Sequence, residues 1–183
     1  IETAVSSGLK LVGDAQRIEQ CNGFDLERLS GQPALRSLLG ALPSDLRNRL
    51  EAHLHQVVAV VLESSGEANS AFADGCYRTL PIIAINRDQS LTLSERLAPG
   101  ERVCWAVRQA DSAEADMRNA LDRLAAEHTA ETSPSCALMF SCIGRGPYFY
   151  SGDDRDLALL RRRFPGLPVL GTYSTGQITP SRC

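Results

Sequence analysis

The chain has 183 residues, 43% of them hydrophobic, and a formal net charge of −3. That is enough apolar material for one domain, or two small lobes, with a real core. Acids and bases are mixed along the chain with no basic stripe and no apolar run of bilayer length, so neither nucleic acid nor a membrane is the expected partner. Ile1 is not an initiator residue, and the chain reads as part of a longer polypeptide.

The first third reads as β structure. Two short runs, Ala4 to Val12 (broken at Gly8) and Arg17 to Cys21, precede Asn22-Gly23 and a third run, Phe24 to Leu29. Asn-Gly between short apolar runs signals a hairpin, because its turn needs positive φ. Gly31 ends the strand, and Gln32-Pro33 opens a helix with Pro near its first position. Leu35, Leu38, Leu39 and Leu42 share one face of that helix. Pro43 stops it, and Ser44 caps a second short helix through about Leu50.

The spacing then predicts a strand from His53 to Leu62 and a polar loop from Ser64 to Asn69. Strands follow at Arg78 to Asn86 and Ser90 to Leu93, around Arg87-Asp88. Pro99-Gly100 marks a turn before the alternating strand Glu101 to Val107. The stretch has the pattern of an antiparallel meander. Trp105, between Cys104 and Ala106, reads as core.

Asp111 to Glu127 carries the clearest helical period. Asp111 suits the cap, with Glu114 as its capping-box partner. Ala113, Met117, Ala120, Leu121 and Leu124 form the apolar face, and Arg118 sits at ion-pairing distance from Glu114 and Asp122. His128 falls at the helix end. The polar stretch Thr129 to Ser135 is the best internal boundary, dividing residues 1–128 from a closing unit, 136–180.

Cys136 to Ser141 is a short apolar strand, followed by the loop Gly144-Arg145-Gly146. Asp153-Asp154 opens a helix with Leu157, Leu160 and Phe164 inward and Arg161 to Arg163 at its C-terminal end. Pro165-Gly166 terminates it. Leu167 to Tyr173 is the last strand, and Ser174-Thr175-Gly176 the loop beyond. The fold class is therefore mixed α/β (α+β): an antiparallel strand meander plus a C-terminal strand–helix–strand unit, with helices packed on the sheet.

A strand–helix–strand crossover makes its two strands parallel neighbours, so both following loops leave from one sheet edge. Ligands bind outside such carboxyl ends. Ser141, Cys142, Arg145 and Gly146 then face Tyr173, Gly176 and Gln177 as a candidate ligand site. Arg145 has the geometry to pair bidentately with a carboxylate. The bland alternative is that the glycines only permit turns and Arg145 is a surface residue. No catalytic or metal residue is assigned. The GxSxG pattern is absent, and a cysteine enzyme using Cys142 would need His53, His55 or His128 brought close in space. His53 and His55 would share one strand face, but no third and fourth metal partner accompanies them. The six cysteines include no CxxC pair and read as reduced thiols of a cytoplasmic protein.

The segment CALMFSCIGRG, with the later GLPVLGTYSTGQITP, resembles the C-terminal part of the FIST domain. That family typically reads F-S-C-x-x-R-G and then P-x-x-G-F-Y-x-x-G-E-I-x-P. Weaker matches in the same order include Ser7-Gly8-Leu9, Asn22-Gly23, the run Leu29 to Leu35, and Pro99-Gly100 leading to Arg108. Ser141, Cys142, Arg145, Gly146, Gly171, Tyr173, Gly176 and Pro180 sit on the pattern. Gln177 stands where Glu is usual, and Thr172 where an aromatic is usual. The resemblance implies that residues 1–183 form a FIST C-terminal domain whose N-terminal half lies elsewhere. It also implies a cytoplasmic, non-catalytic module that senses a small ligand such as an amino acid or carboxylate. Such a module signals through an output domain such as a histidine kinase. It requires no cofactor, although some family members are described as haem-based nitric-oxide sensors. His53, His55 or Cys142 would be the candidate haem ligands here.

Overall fold

The structure is a computed structural model that describes residues 1–64, 66–127 and 134–175. It is mixed α+β, and it divides into two compact units. A sheet unit is built on Lys10–Arg108, and a crossover unit on Ile1–Leu9 together with the chain from Gln109 onward. The division falls before the long helix, not at the polar linker, so that helix belongs with the closing strands.

The sheet unit contains β1 (Leu9–Asn22, its first residue counted with the other unit), β2 (Asp25–Leu29), β3 (Gln32–Pro33), β4 (Val57–Leu62), β5 (Tyr77–Ile85), β6 (Leu91–Leu93) and β7 (Arg102–Arg108). The strand order is β1-β7-β4-β5-β6-β2-β3, and an additional β1–β2 pairing closes the circuit. Closure removes most open edges, which a flat meander would leave. β1 begins at Leu9, directly after the predicted break at Gly8 (φ +66), and it runs on through Gly13, at φ +71, so the two runs read as separate form one strand. The hairpin forms as expected, with Asn22 opposite Asp25, so Gly23 and Phe24 occupy the turn itself.

Alternate residues of these strands fill the interior. Val57, Ala59 and Val61 of β4 meet Val103, Trp105 and Val107 of β7, with Leu80, Leu91 and Leu26 from the neighbouring strands. Helix α1 (Ala34–Ala41) adds Ala34 and Leu38 to the same cluster, and Leu42 just beyond it does likewise. Trp105 is fully buried, and its indole Nε1–H donates to Ser37 Oγ at 2.9 Å. Ser37 in turn donates to Gln16 Oε1 at 2.9 Å. The indole therefore enters the core with its polar atom satisfied. All of β4 is buried on both faces, which explains its unbroken aliphatic run.

Three local expectations are corrected here. The strand predicted from His53 begins only at Val57: His53 ends helix α3 (Leu50–His53), which follows α2 (Ser44–Arg47), and residues 54–56 form a further helical turn. The β-branched run, not the histidines, sets the strand start. The polar loop predicted at 64–69 gives way to helix α4 (Ala68–Asp74), whose chain is turned back by Gly75 in the left-handed region. The third correction concerns the thiols. Cys21, Cys104, Cys136 and Cys142 are free, but Cys76 is disulfide-bonded, a pairing that no short Cys spacing announces.

The crossover unit contains α5 (Ala110–Glu127), β8 (Ala137–Cys142), α6 (Arg155–Arg163) and β9 (Val169–Ser174). Asp111 lies in the first turn of α5 and not at its cap, and Glu114 turns its carboxylate to Arg118 and Arg155. Leu121, Leu159 and Leu160 form a small apolar cluster between the helices, with Met117, Ala137, Met139, Phe164 and Val169 packed against it. On α6 the buried positions are Asp156, Leu159 and Leu160, with Leu157 only half-buried. His128 lies outside the described residues. Among the described residues no helix is long and apolar enough to cross a membrane.

Candidate functional site

β8 and β9 are parallel neighbours in strict register, Ala137 beside Val169 through Cys142 beside Ser174. This brings Ser141 next to Tyr173 at the carboxyl ends of both strands. Gly171 makes that approach possible, because a Cβ there would lie 1.9 Å from the Met139 carbonyl oxygen. Any side chain at this position would push the strands apart.

After Cys142 the chain makes two short helical turns, 143–145 and 147–150. Gly146 sits against the Tyr173 ring, and a Cβ on it would fall 3.7 Å from Tyr173 Cε1. Gly144 approaches the Cys142 thiol in the same way, at 3.7 Å from Sγ. The structure thus brings together Ser141, Cys142, Gly146 and Tyr173. Gly176 and Gln177 lie outside the described residues.

Tyr173 is held at this edge by Asp154. Its hydroxyl donates to one carboxylate oxygen, while the other caps α6 by accepting from Leu157 N–H at 3.0 Å. One side chain therefore fixes both the helix start and the ring. Burial, together with the hydrogen bond and charge of Asp154, pushes the Tyr173 hydroxyl up to about 12. It stays protonated and a donor at neutral pH.

Arg145 turns inward. It is 8% exposed, and Asp156 opposite it is 3% exposed. Arg145 Nε lies 2.7 Å from Asp156 Oδ2, and Nη2 donates to Asp156 Oδ1 at 3.0 Å. The bidentate carboxylate partner expected of Arg145 is thus supplied by the chain itself. Nη2 also donates to the Ala113 carbonyl at 2.9 Å, and Nη1 to the Ser6 carbonyl at 2.7 Å. Tyr150, 1% exposed, completes the cluster by donating to Asp156 Oδ1 at 2.8 Å. Burial is the largest influence on Arg145 and opposes its charge, but Asp156 and Tyr150 together outweigh it and the guanidinium pKa rises. Burial pushes the Tyr150 hydroxyl up to about 12. A buried pair of this kind is tolerable only because nearly every donor and acceptor is matched.

This cluster binds four separate segments into one unit: residues 6–8, the start of α5, the loop after β8, and α6. Gly8 is its tightest point. It has φ +66, and a Cβ there would come within 2.8 Å of Arg145 Nη1. Asp116 holds the same segment, accepting from Ser6 Oγ at 2.9 Å and Gly8 N–H at 3.0 Å. Sequence reasoning found Arg145 but not Asp156 or Tyr150. The signal was present as an acidic residue on the otherwise apolar side of α6.

The other candidate chemistries are placed elsewhere. His53 and His55 lie in the sheet unit, their rings 6.2 Å apart, with His53 hydrogen-bonded to Gln56. His55 is exposed. No described histidine lies in the unit that holds Cys142. Among the described residues no group of three or more His, Cys, Asp and Glu is placed to hold a metal ion. Two cavities, about 200 and 180 Å³, open along α5 and α6, away from His53 and His55. Both are below the roughly 300 Å³ at which ligand pockets usually begin.

Comparison with known proteins gives a family match and several relatives. The family model for the FIST C domain matches residues 33–180. An uncharacterized protein of Mycobacterium tuberculosis is 28% identical over 182 residues, covering 97% of this chain and 46% of the relative. One of Mycobacterium bovis is 27% identical over 180 residues, covering 96% and 45%. The chain thus spans about half the length of the curated relatives it matches. No solved structure matches.

Proposed function

The chain belongs to the FIST C domain family, a family of sensory signal-transduction domains, and on that premise we propose that it is a non-catalytic, cytoplasmic module that senses a small ligand at the β8–β9 edge. The observation that carries this reading is the parallel register setting Ser141 beside Tyr173 and Cys142 beside Ser174. Carboxyl ends of parallel strands are where α/β sheets take ligands. Ser141, Cys142, Gly146 and Tyr173 form the described part of the proposed site; Gly176 and Gln177, expected from the sequence to belong to it, lie outside the described residues.

Arg145 acts as a positioning residue, since its charge is matched by Asp156. The carboxylate seen at the site is then Asp154, hydrogen-bonded to Tyr173. That sign favours a ligand carrying an ammonium group, so an amino acid suits the site better than a simple dicarboxylate. The Arg145 cluster links the loop to α5 and α6, and a ligand that shifts the loop biases those helices. The partner that reads them is a signalling output domain, such as a histidine kinase. No cofactor is required.

The test is a thermal-shift and calorimetric screen of the protein against amino acids, amines and small carboxylates. A ligand present at about 100 times its dissociation constant adds about 2.7 kcal/mol of stability. The expected hit carries an ammonium group and loses its effect in Tyr173→Phe or Ser141→Ala. If nothing in the set stabilises the protein, the sensing site is elsewhere or absent. A Soret band after haem titration would replace this reading with the gas-sensor one.

A further inference from the structure

Among the described residues, the β8–β9 sheet has one covered face and one bare face. Ala137, Met139 and Val169 pack toward Leu121, Leu159 and Leu160. The alternate residues Leu138, Phe140 and Leu170 are 63%, 62% and 72% exposed. The register places Leu138 beside Leu170, with Phe140 one step along the same face, so the three form one continuous apolar strip.

This is an unusual way to leave a parallel sheet. Parallel strands occur almost only with both faces covered, and their sequences then run apolar without alternation. The run Ala137-Leu138-Met139-Phe140 has that two-faced pattern. A sheet of two strands is also marginal by itself, and contiguous exposed apolar strips mark contact surfaces. What covers the strip is suggested by length: more than half of each matched relative lies outside the matched stretch. That is ample for a further layer.

We infer that the Leu138–Phe140–Leu170 face seats an amphipathic helix from the other half of a double-length polypeptide. The helix lies on the sheet opposite α5 and α6 and completes a helix–sheet–helix sandwich. The inference is independent of the ligand proposed above, because it rests on the face of the sheet and not on its edge.

The experiment compares two proteins, the 183-residue chain and the full-length product of the gene that encodes it. Leu138→Cys and Leu170→Cys, both at exposed positions, are placed in each and treated with a maleimide, and the labelled peptides are read by mass spectrometry. The expected result is fast labelling in the 183-residue chain and labelling at least about tenfold slower in the full-length protein, since a covered site reacts only on local opening. A Phe140→Asp change in the full-length protein should restore fast labelling. Equal rates in the two proteins would overturn the inference, as would a gene product that ends with these residues. Slow labelling in the 183-residue chain together with a dimer mass by light scattering would assign the face to a second copy, and also overturn it.

Discussion

The two units hold themselves together by different means. In the sheet unit, apolar side chains from a closed circuit of strands meet around Trp105 and Leu38, and polar groups enter only where they are paired, as along Trp105, Ser37 and Gln16. The crossover unit has a small apolar cluster, a sheet with one face bare among the described residues, and a buried ion pair. The first kind of interior tolerates no loss of volume. The second tolerates no loss of one charge. A sensory module needs some part that can rearrange, and the unit with less apolar burial is the one that carries the candidate site.

This contrast can be broken or sharpened by substitution. The largest effect is expected in the sheet unit. Trp105→Ala removes a fully buried ring and leaves Ser37 without its donor, at a cost of about 3–5 kcal/mol. Urea unfolding should show it as a lowered midpoint.

The next effect tests the other unit. Arg145→Met leaves Asp156 buried and uncompensated, and should cost about 3–5 kcal/mol. It sits second because Tyr150 still donates a hydrogen bond to Asp156. The double change Arg145→Met with Asp156→Leu should recover much of the loss. If the double variant is no more stable than Arg145→Met, the cluster is not held by charge and the contrast between the units fails.

A smaller effect comes from pH. Tyr150 and Tyr173 are both raised to about 12 from an ordinary value near 10. Between these values the folded state holds protons that the unfolded state has released. Their contribution is fully present below pH 10 and is lost as pH rises through 12. Stability should decline over that window, and Tyr150→Phe should remove one late step from the absorbance titration. The smallest effect is expected at the surface. Asp122→Ala breaks an exposed pair with Arg163 at 2.9 Å, and should change stability by less than about 1 kcal/mol.

Much of this architecture was legible in the residues. The parallel pair followed from two apolar runs joined by one capped helix, and α5 from its 3.6-residue period. The hairpin followed from Asn22-Gly23. What escaped were features decided by distant partners. β1 runs through Gly13, although a glycine commonly ends a strand. α4 forms from Ala68, Ala71 and Phe72 in a stretch whose leading residues are polar. His53 joins a helix because nothing at Gln56 or before favours extension. In the site, the position of Ser141 against Tyr173 was readable from topology. The inward turn of Arg145 was not, because its carbonyl partner at Ser6 is 139 residues away in the chain.

That separation has a kinetic side. Residues 6–8 are synthesised well before the guanidinium that completes their anchoring, which follows 139 residues later. At about 5–20 residues per second, the wait is on the order of ten seconds. The sheet unit, encoded between the two, has time to fold first. The anchoring of residues 6–8, begun by Asp116, is complete only once Arg145 has been made, so the crossover unit closes after the strands of the sheet unit have been synthesised.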